Sequence, residues 1–296
     1  MTGAGNSPRR PNHRAGQVKD ITSTSNPLIK RIRGLALKKN RDGEQVFMAE
    51  GLKLLTDALE TGWEIETVIC SREIAREPKF AAIAAQCRAR GADILEVSNK
   101  VLSAISRRDN PQMVIGVYRQ RFADTPTLLG SLTKPGDVVV ALDRVRDPGN
   151  LGTIIRTADC AGAKGILLIG DTTDPYSLEA TRATMGSIFH MPIARIGEKD
   201  FLHLNRSDIR LAGTHLEGAV DYRTLAWSRS PAIVLMGNEQ QGLTPALAAA
   251  CDDLVLIPMA GQADSLNLAI ATGIVLFEAR RDKLLLGATI KGEAGP

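Results

Sequence analysis

Residues 141–162, ALDRVRDPGNLGTIIRTADCAG, place charged and amide side chains directly after an apolar run. Arg144 and Arg146 fall at the carboxyl end of a predicted buried strand, where open α/β sheets bind ligands. We expect Asn150 to cap the helix that follows. An ordinary capped helix would show the same pattern, so this segment alone does not define a site.

Arg156 lies within that predicted helix, roughly opposite its apolar stripe at about 100° per residue. It is therefore not expected to be a core residue. The stripe consists of Leu151, Ile154, Ile155 and Ala158.

A second polar turn follows the buried strand within residues 232–243, AIVLMGNEQQGL. Gly237 ends the apolar run, Asn238 and Glu239 present polar groups, and Gly242 permits a backbone reversal. Turns of this kind are common after strands, so the segment is a weak signal by itself.

The third segment, residues 254–281, runs from a strand into a long apolar helix. Pro258 and Gly261 break the chain between them. Ser265 is expected to cap the helix, with Asn267 in its first turn. A serine at such a position is more often a cap than a catalytic group.

The length and composition of the chain predict a folded protein of about two domains. The chain has 296 residues, 44% hydrophobic and 24% charged, which excludes whole-chain disorder. No apolar run reaches the roughly 18 residues of a membrane span, and the N-terminus lacks a secretory pattern. Four dispersed cysteines without metal-ligand spacing are expected to be small buried residues in a cytoplasmic protein, with no bound metal.

Apolar runs alternate with helical stretches along the chain, which predicts an α/β fold. The first hundred or so residues predict a small N-terminal α/β sandwich domain. Five later runs (DVVVALD, ILLIG, IRLAGT, AIVLMG and DLVLIP) predict a mostly parallel C-terminal sheet covered by helices. The predicted divisions are a disordered basic leader at 1–19, a substrate-binding domain at 20–122, a linker at 123–136, a catalytic domain at 137–286 and a flexible tail at 287–296.

Positive charge is concentrated at the N-terminal end. Residues 1–41 contain ten Lys and Arg but one acid, a local charge of +9 in a chain whose net charge is +4. Residues 28–40, LIKRIRGLALKKN, predict one short amphipathic helix with a basic outer face. Such a face suggests a polyanionic partner, and Lys30, Arg31 and Arg33 are its candidate binding residues.

Taken together, the three C-terminal segments resemble the signature blocks of the SpoU (TrmH-like) RNA 2′-O-methyltransferases, of the SPOUT superfamily. The blocks are N-x-G-x-x-x-R, G-N-E-x-x-G-L and I-P-M-x-G-x-x-x-S-L-N, and they stand in that order here. The resemblance covers residues 137–284 closely. Residues 20–121 look more loosely like the family's smaller substrate-binding domain.

The resemblance implies a C-terminal trefoil knot that holds S-adenosylmethionine, a homodimer, and methylation of a ribose 2′-hydroxyl in structured RNA, ribosomal RNA in preference to tRNA. It leaves open whether Arg156 accepts the proton or stabilises the alkoxide, and it adds Arg144 and Arg146 as RNA-binding candidates. The implied catalytic set is Asn150, Arg156, Glu239, Ser265 and Asn267, and the implied cofactor-binding set is Gly237, Ile257, Met259, Gly261 and Leu266.

Two other classes of protein remain as alternatives. A non-catalytic RNA-binding protein would have the basic helix and the small first domain but would not bind S-adenosylmethionine. A nucleotide-dependent α/β enzyme is disfavoured, since neither G-x-G-x-x-G nor G-x-x-x-x-G-K-[ST] occurs.

Overall fold

The computed structural model describes residues 15–206, 208–216 and 219–285. It contains two units, Met1–Arg119 and Gln120–Pro296. Most of the predicted leader and the whole predicted tail, residues 287–296, lie outside the described residues.

The first unit is a five-stranded sheet with helices, in the sheet order β1-β4-β3-β5-β2. Strands β1, β4 and β3 are parallel, whereas β5 runs antiparallel to both β3 and β2. Among the helices, α1 packs against α5 and α3 packs against α4. The elements are β1 (Val18–Ile21), α1 (Pro27–Gly34), α2 (Lys38–Glu44), β2 (Val46–Glu50), α3 (Leu52–Glu60), β3 (Ile65–Ser71), α4 (Pro78–Ala89), β4 (Asp93–Val97), α5 (Asn99–Ser106) and β5 (Val114–Arg119).

Strand β1 was not predicted, and it shortens the expected leader of residues 1–19. Val18 and Lys19 pair with Ile94 and Leu95 of β4. The main chain of Gln17 also donates a 2.8 Å hydrogen bond to Asp93. Because Val18 is 48% exposed, the strand is held mainly by main-chain pairing and has no hydrophobic signature in the sequence.

The single helix predicted over residues 28–40 is two helices. Asn26 caps α1 by accepting from the Leu28 amide at 2.9 Å, and α1 ends at Gly34 before α2 begins. The buried stripe of this region is Ile29, Ile32 and Leu35, whereas Leu28 is 36% exposed. The predicted amphipathic character is therefore confirmed.

Arg31 must be removed from the predicted phosphate-binding residues. Its guanidinium donates 2.6 Å hydrogen bonds to Glu44 and to Glu66, which also raise its pKa. Because two carboxylates neutralise this guanidinium and occupy its donors, it contributes little attraction for a polyanion. Lys30 and Arg33 are exposed, and neither forms an ion pair within the described residues.

The second unit contains a seven-stranded sheet, in the order β10-β12-β9-β11-β6-β7-β8, in which every pairing is parallel. The predicted parallel sheet is therefore confirmed. The elements are α6 (Thr125–Gly130), β6 (Val138–Asp143), α7 (Pro148–Cys160), β7 (Gly165–Ile169), α8 (Leu178–Thr184), β8 (Ile193–Ile196), α9 (Glu198–Leu202), β9 (Arg210–Thr214), β10 (Val220–Asp221), β11 (Ala232–Met236), α10 (Pro245–Ala249), β12 (Asp253–Leu256) and α11 (Leu268–Ala279).

Two strands of this sheet, β8 and β10, were not predicted. Both lie at sheet edges. The sequence of β8, IARI, is interrupted by the exposed Arg195, and β10 has only two residues, so neither shows a continuous apolar run.

The predicted linker, residues 123–136, is part of the second unit. Asp124 caps α6 by accepting from the Thr127 amide at 3.1 Å. Leu128, Leu129 and Leu132 are buried in the core of the unit. The turn-forming residues that suggested a linker instead surround a short capped helix.

The helix predicted after β6 starts earlier than expected. Asp147, not Asn150, is its cap: the Asp147 carboxylate accepts from the Asn150 amide at 2.6 Å, and Pro148 occupies the first turn. The predicted buried stripe of α7 is confirmed. Asn150 therefore lies within the first turn, where its own side chain is available for other contacts.

Gly152 lets α7 approach α8 closely. A Cβ at Gly152 would lie 2.3 Å from the carbonyl oxygen of Ala180 and 2.5 Å from the Cβ of Ala183. The glycine of the N-x-G-x-x-x-R block is thus explained by helix packing, without a contact to any ligand.

The cysteines and the surface partly correct the expectations. Cys70 and Cys87 are buried, and burial raises their pKa to about 12 and about 11, so both thiols are inert at neutral pH. Cys160 is exposed at the end of α7, contrary to expectation, because it lies off the buried stripe. Among the described residues, no helix is long and apolar enough to cross a bilayer, and no cluster of three or more His, Cys, Asp or Glu could hold a metal.

Replacement of Gly152 by alanine should destabilise the second unit. We expect Gly152→Ala to lower the free energy of unfolding by about 1 to 3 kcal/mol through overpacking against α8. Gly130→Ala is the matched control, since Gly130 is also helical and has open space around its Cβ position. It should leave stability unchanged or raise it slightly. Denaturant unfolding of both variants checks this, and equal stability of the two would contradict the packing explanation.

Candidate functional site

A polar cleft of about 290 Å³ opens beside the carboxyl ends of β6 and β11. These two strands are neighbours in the parallel sheet, so the turns that follow them meet at one edge. The lining residues are Arg144, Arg146, Asp147, Asn238, Glu239, Gln240 and Gln241.

The carboxylate of Glu239 joins the two turns. It accepts hydrogen bonds from the main-chain amides of Arg146 and Asp147, each at 3.2 Å. It also accepts from the side-chain amide of Asn150 at 3.4 Å. One carboxylate therefore accepts hydrogen bonds from two main-chain amides just before α7 and from one side-chain amide in the first turn of that helix.

Asn150 extends this connection to the start of α11. The side-chain oxygen Oδ1 of Asn150 accepts a 2.9 Å hydrogen bond from the side-chain amide of Asn267. The Asn267 oxygen in turn accepts from the amides of Ala269 at 2.9 Å and Ile270 at 3.3 Å. Asn267, rather than the predicted Ser265, is thus the cap of α11.

Two glycines shape the turn that carries Glu239. A Cβ at Gly237 would lie 2.4 Å from the carbonyl carbon of Gly242, and Gly242 has a positive φ of 67°. Asn238 and Gly242 exchange main-chain hydrogen bonds of 3.0 Å. The turn is therefore closed on itself, which confirms the predicted reversal at Gly242.

Arg144 holds this turn and is withdrawn from the RNA-binding candidates. Its guanidinium forms two hydrogen bonds, of 2.9 and 3.0 Å, with the fully buried carboxylate of Asp143, and this raises its pKa. It also donates to the side chain of Gln241 at 2.8 Å and to the carbonyl of Gly242 at 3.3 Å. Four such bonds leave the guanidinium occupied by its own chain.

Arg146 is exposed, and its ion pair with Asp171 joins two groups that are largely in solvent. Exposed pairs of this kind are weak and are easily exchanged for another anion. Arg146 therefore remains a candidate for binding a phosphate.

Arg156 and Ser265 are not brought into the hydrogen-bonded cluster. Arg156 is exposed on α7 and forms no hydrogen bond or ion pair within the described residues. It lies six residues beyond Asn150, about 9 Å along the helix and about 120° around it. Within the described residues, neither Glu239 nor Asn150 is therefore hydrogen-bonded to the Arg156 side chain. Ser265 is also exposed.

Two of the predicted cofactor-binding residues lie at the ends of strands that are separated by β9 in the sheet. Gly237 is buried directly after β11, and Ile257 follows β12. Met259, Gly261 and Leu266 are exposed in the segment that leads to α11. Within the described residues, no main-chain group from Met259 to Leu266 forms a hydrogen bond, so these donors and acceptors are available to a ligand.

Sequence reasoning missed the end of β9, which lies between β11 and β12 in the sheet. Thr214 closes this strand and His215 follows it, at the same edge as Gly237 and Ile257. Polar residues at the end of a buried parallel strand and directly after it were the signal that could have identified Thr214 and His215.

Loss of the Glu239 carboxylate should loosen the cluster. We expect Glu239→Ala to raise amide hydrogen exchange at Arg146 and Asp147 by about tenfold or more and to lower the free energy of unfolding by about 1 to 3 kcal/mol. Glu179→Ala is the control, because Glu179 is exposed on α8 and forms no hydrogen bond within the described residues. Hydrogen exchange by mass spectrometry checks this, and unchanged exchange at both amides would refute the bridging role.

Comparison with known proteins identifies the family. Residues 137–277 match the SpoU rRNA Methylase family, and residues 26–116 match the MRM3-like substrate binding domain. A 23S rRNA (guanosine(2553)-2′-O)-methyltransferase of Bacillus subtilis is 31% identical over 264 residues, which is 89% of this chain and all of the relative. A 23S rRNA (uridine(2479)-2′-O)-methyltransferase of Streptomyces viridochromogenes is 32% identical and covers 83% of this chain and 86% of the relative.

A solved structure extends the match to the whole fold. The AdoMet-bound rRNA methyltransferase from Sinorhizobium meliloti superposes with a TM-score of 0.85 and 55% identity, and covers 92% of this chain and all of that one. With both domains matched and the three sequence blocks gathered at one edge of the sheet, this chain belongs to the SpoU rRNA methylase family.

Proposed function

We propose that this protein methylates a ribose 2′-hydroxyl of ribosomal RNA, with S-adenosylmethionine as methyl donor. The observation that carries the proposal is the Glu239–Asn150–Asn267 connection, which brings all three family blocks to one place. The Bacillus and Streptomyces relatives are both named as 23S rRNA 2′-O-methyltransferases. Because their names specify different nucleotides, the proposal extends to the class of RNA and not to the position.

The residues at the sheet edge fit S-adenosylmethionine. Free main-chain donors and acceptors from Met259 to Leu266 suit the edge of an adenine ring and the polar end of a methionine. Exposed Met259 and Leu266 side chains supply apolar contact area. When bound, S-adenosylmethionine supplies an electrophilic methyl group on a sulfonium. Gly237, Ile257, Met259, Gly261 and Leu266 would hold it.

Arg156 acts on the RNA in this proposal. A guanidinium with a pKa above about 12 is a poor proton acceptor, so we assign it to the phosphate beside the reacting ribose and to the charge that develops on the 2′-oxygen. Proton loss would then go to solvent or phosphate. Within the described residues, the Arg156 side chain forms no hydrogen bond or ion pair, which supports its use in the site of a second copy.

Replacement of Arg156 should separate catalysis from cofactor binding. We expect Arg156→Ala to reduce methyl transfer by two orders of magnitude or more and to leave S-adenosylmethionine affinity within about twofold. Arg229→Ala is the matched control, since Arg229 is exposed and its side chain forms no hydrogen bond within the described residues. Single-turnover methylation and calorimetry check this. Near-full activity of Arg156→Ala would remove Arg156 from the reaction.

We also propose a homodimer whose interface includes α11. Ile270 and Phe277 are 56% and 46% exposed on this helix. Met259 and Leu266, just before it, are 42% and 38% exposed. Large apolar side chains gathered on one segment are typical of an interface, and two-fold pairing is the commonest arrangement.

The dimer should dissociate when that face is charged. Light scattering of the native protein should give about twice the chain mass of 31.8 kDa. Ile270→Asp with Phe277→Asp should give the chain mass and lose activity, because Arg156 then has no partner site. Val18→Asp, at an exposed apolar position of the first unit, is the control and should remain dimeric. A native protein that is monomeric and active would overturn this proposal.

The trefoil knot that the resemblance implies is part of the same proposal. Arg280, just after α11, donates to the carbonyls of Gly136 and Ala161, the latter at 3.0 Å. The C-terminus of α11 is thus hydrogen-bonded to the chain just before β6, and its N-terminus is hydrogen-bonded to α7 through Asn267. This anchoring at both ends supports a C-terminal segment passed through the fold.

The substrate is identified by mapping 2′-O-methyl positions in total RNA from cells with and without this protein. The proposal predicts loss of one site in ribosomal RNA and places the reaction in the cytoplasm. Loss of a site in tRNA alone would correct the substrate class. If no site is lost and calorimetry detects no S-adenosylmethionine binding, the non-catalytic RNA-binding alternative is correct.

A further inference from the structure

Six cations of the first unit form ion pairs with carboxylates of the same unit. Each of the following pairs joins a Lys or Arg to a carboxylate within 3.4 Å: Lys19 with Asp93, Arg31 with Glu44 and Glu66, Lys38 with Asp42, Lys53 with Asp57, Arg72 with Asp20, and Arg119 with Glu64. Arg41 is buried and donates to the carbonyls of Leu35 and Ala36. The charge of each of these residues is partly offset within its own unit before any partner binds.

Most of the remaining exposed cations belong to three helices and one turn. Within residues 15–119, the side chains of eight exposed Lys and Arg form neither a hydrogen bond nor an ion pair. Six of them belong to α1, α2, α5 and the turn after α5: Lys30, Arg33, Lys39, Lys100, Arg107 and Arg108. Of the other two, Arg76 lies just before α4 and Lys79 lies in its first turn.

Acidic residues are sparse along these segments, and Asp109 directly follows Arg108. Residues 26–40 and residues 98–108 contain no Asp or Glu. Because α1 packs against α5, the two cationic segments lie on neighbouring helices. We call the surface that carries Lys30, Arg33, Lys100, Arg107 and Arg108 the α1–α5 face. Charge of one sign in one place favours a polyanion.

Helix stabilisation offers a competing explanation for the cations after α5. Arg107 ends the helix in the left-handed conformation, with a φ of 58°, and its amide donates to the carbonyl of Ser103 at 2.9 Å. Basic residues at a helix C-terminus also interact favourably with the helix dipole. That explanation predicts an effect on stability and none on RNA binding, so the two are separable.

The α1–α5 face offers no aromatic group on which a base could stack. The aromatic residues of residues 1–119 are Phe47, Trp63, Phe80 and Tyr118, and all four are buried. Base stacking on such side chains is the usual means of reading unpaired RNA. Without it, the chemistry that this face can recognise is phosphate.

We propose that the α1–α5 face binds the sugar-phosphate backbone of the RNA substrate, through Lys100, Arg107 and Arg108 as well as Lys30 and Arg33. The inference rests on the proposed function, since it takes the substrate to be RNA. It assigns α5 and its following turn to RNA binding, and it gives the first unit a role in affinity rather than in base recognition.

The test compares two variants that each lose one lysine and one arginine. Lys100→Gln with Arg108→Gln removes charge from the α1–α5 face. Arg76→Gln with Lys79→Gln removes equal charge from the exposed cations elsewhere in the unit. The affinity of the full-length protein for ribosomal RNA is measured between about 50 and 200 mM salt, together with S-adenosylmethionine affinity and the unfolding midpoint.

The face variant should bind RNA about tenfold more weakly, with a log-log salt slope reduced by about 1.4 to 1.8, or about 0.7 to 0.9 for each lost phosphate contact. The control should keep the native slope, and both should keep S-adenosylmethionine affinity. Lys100→Arg with Arg108→Lys, which retains both charges, should restore the slope.

An unchanged slope in the face variant, or an equal loss in the control, overturns the inference. A lower unfolding midpoint with a native slope would assign the cations to helix stabilisation and also overturn it. Failure of the proposed function has a different signature, because the native protein itself would then show no salt-dependent binding of RNA.

Discussion

The candidate site depends on one carboxylate that meets several unsatisfied donors. Glu239 accepts from the amides of Arg146 and Asp147 and from the side chain of Asn150. The amides at the start of a helix have no partner inside that helix, so an anion from another segment is an effective way to satisfy them. Asn150 then passes the connection to Asn267 at the start of α11. Residues far apart in sequence are thereby held together without a metal or a disulfide among the described residues.

Two neighbouring features keep that carboxylate in place. Asp143 and Arg144 form a bidentate pair whose arginine also binds Gln241 and Gly242, so the turn carrying Glu239 is fastened to the end of β6. Gly237 and Gly242 allow the turn to close where any side chain at Gly237 would collide with the main chain. A site built on main-chain groups needs this support, because main-chain positions are only as well defined as the turns that hold them.

Features that leave a repeating hydrophobic pattern were predictable from the sequence. Features that depend on which side chains become hydrogen-bond or ion-pair partners in the folded chain were not. The buried stripe of α7 and the five long strands of the parallel sheet were predictable because burial leaves a repeating pattern. The cap at Asp147 was missed because two capping residues stood three positions apart and only the structure decides between them. Arg31 and Arg144 appeared as free cations because their carboxylate partners, Glu66 and Asp143, became recognisable only once the chain was folded.

The two units divide the proposed work by the chemistry of their surfaces. The first unit offers unpaired cations and no exposed aromatic ring, which suits affinity for any folded RNA backbone. The second unit offers amides and carbonyls at the edge of a sheet, and an exposed Arg156 on α7, which suits a small cofactor and a single reacting ribose. Choice of nucleotide must then come from the second unit or from the shape of the RNA.

The central claim is tested most directly by incubating the purified protein with ribosomal RNA and S-adenosylmethionine carrying a labelled methyl group, then digesting the RNA to nucleosides. The account predicts that the label elutes in a single 2′-O-methylnucleoside. Label in a base-methylated nucleoside, or label absent from ribosomal RNA while the protein binds both components, would contradict it.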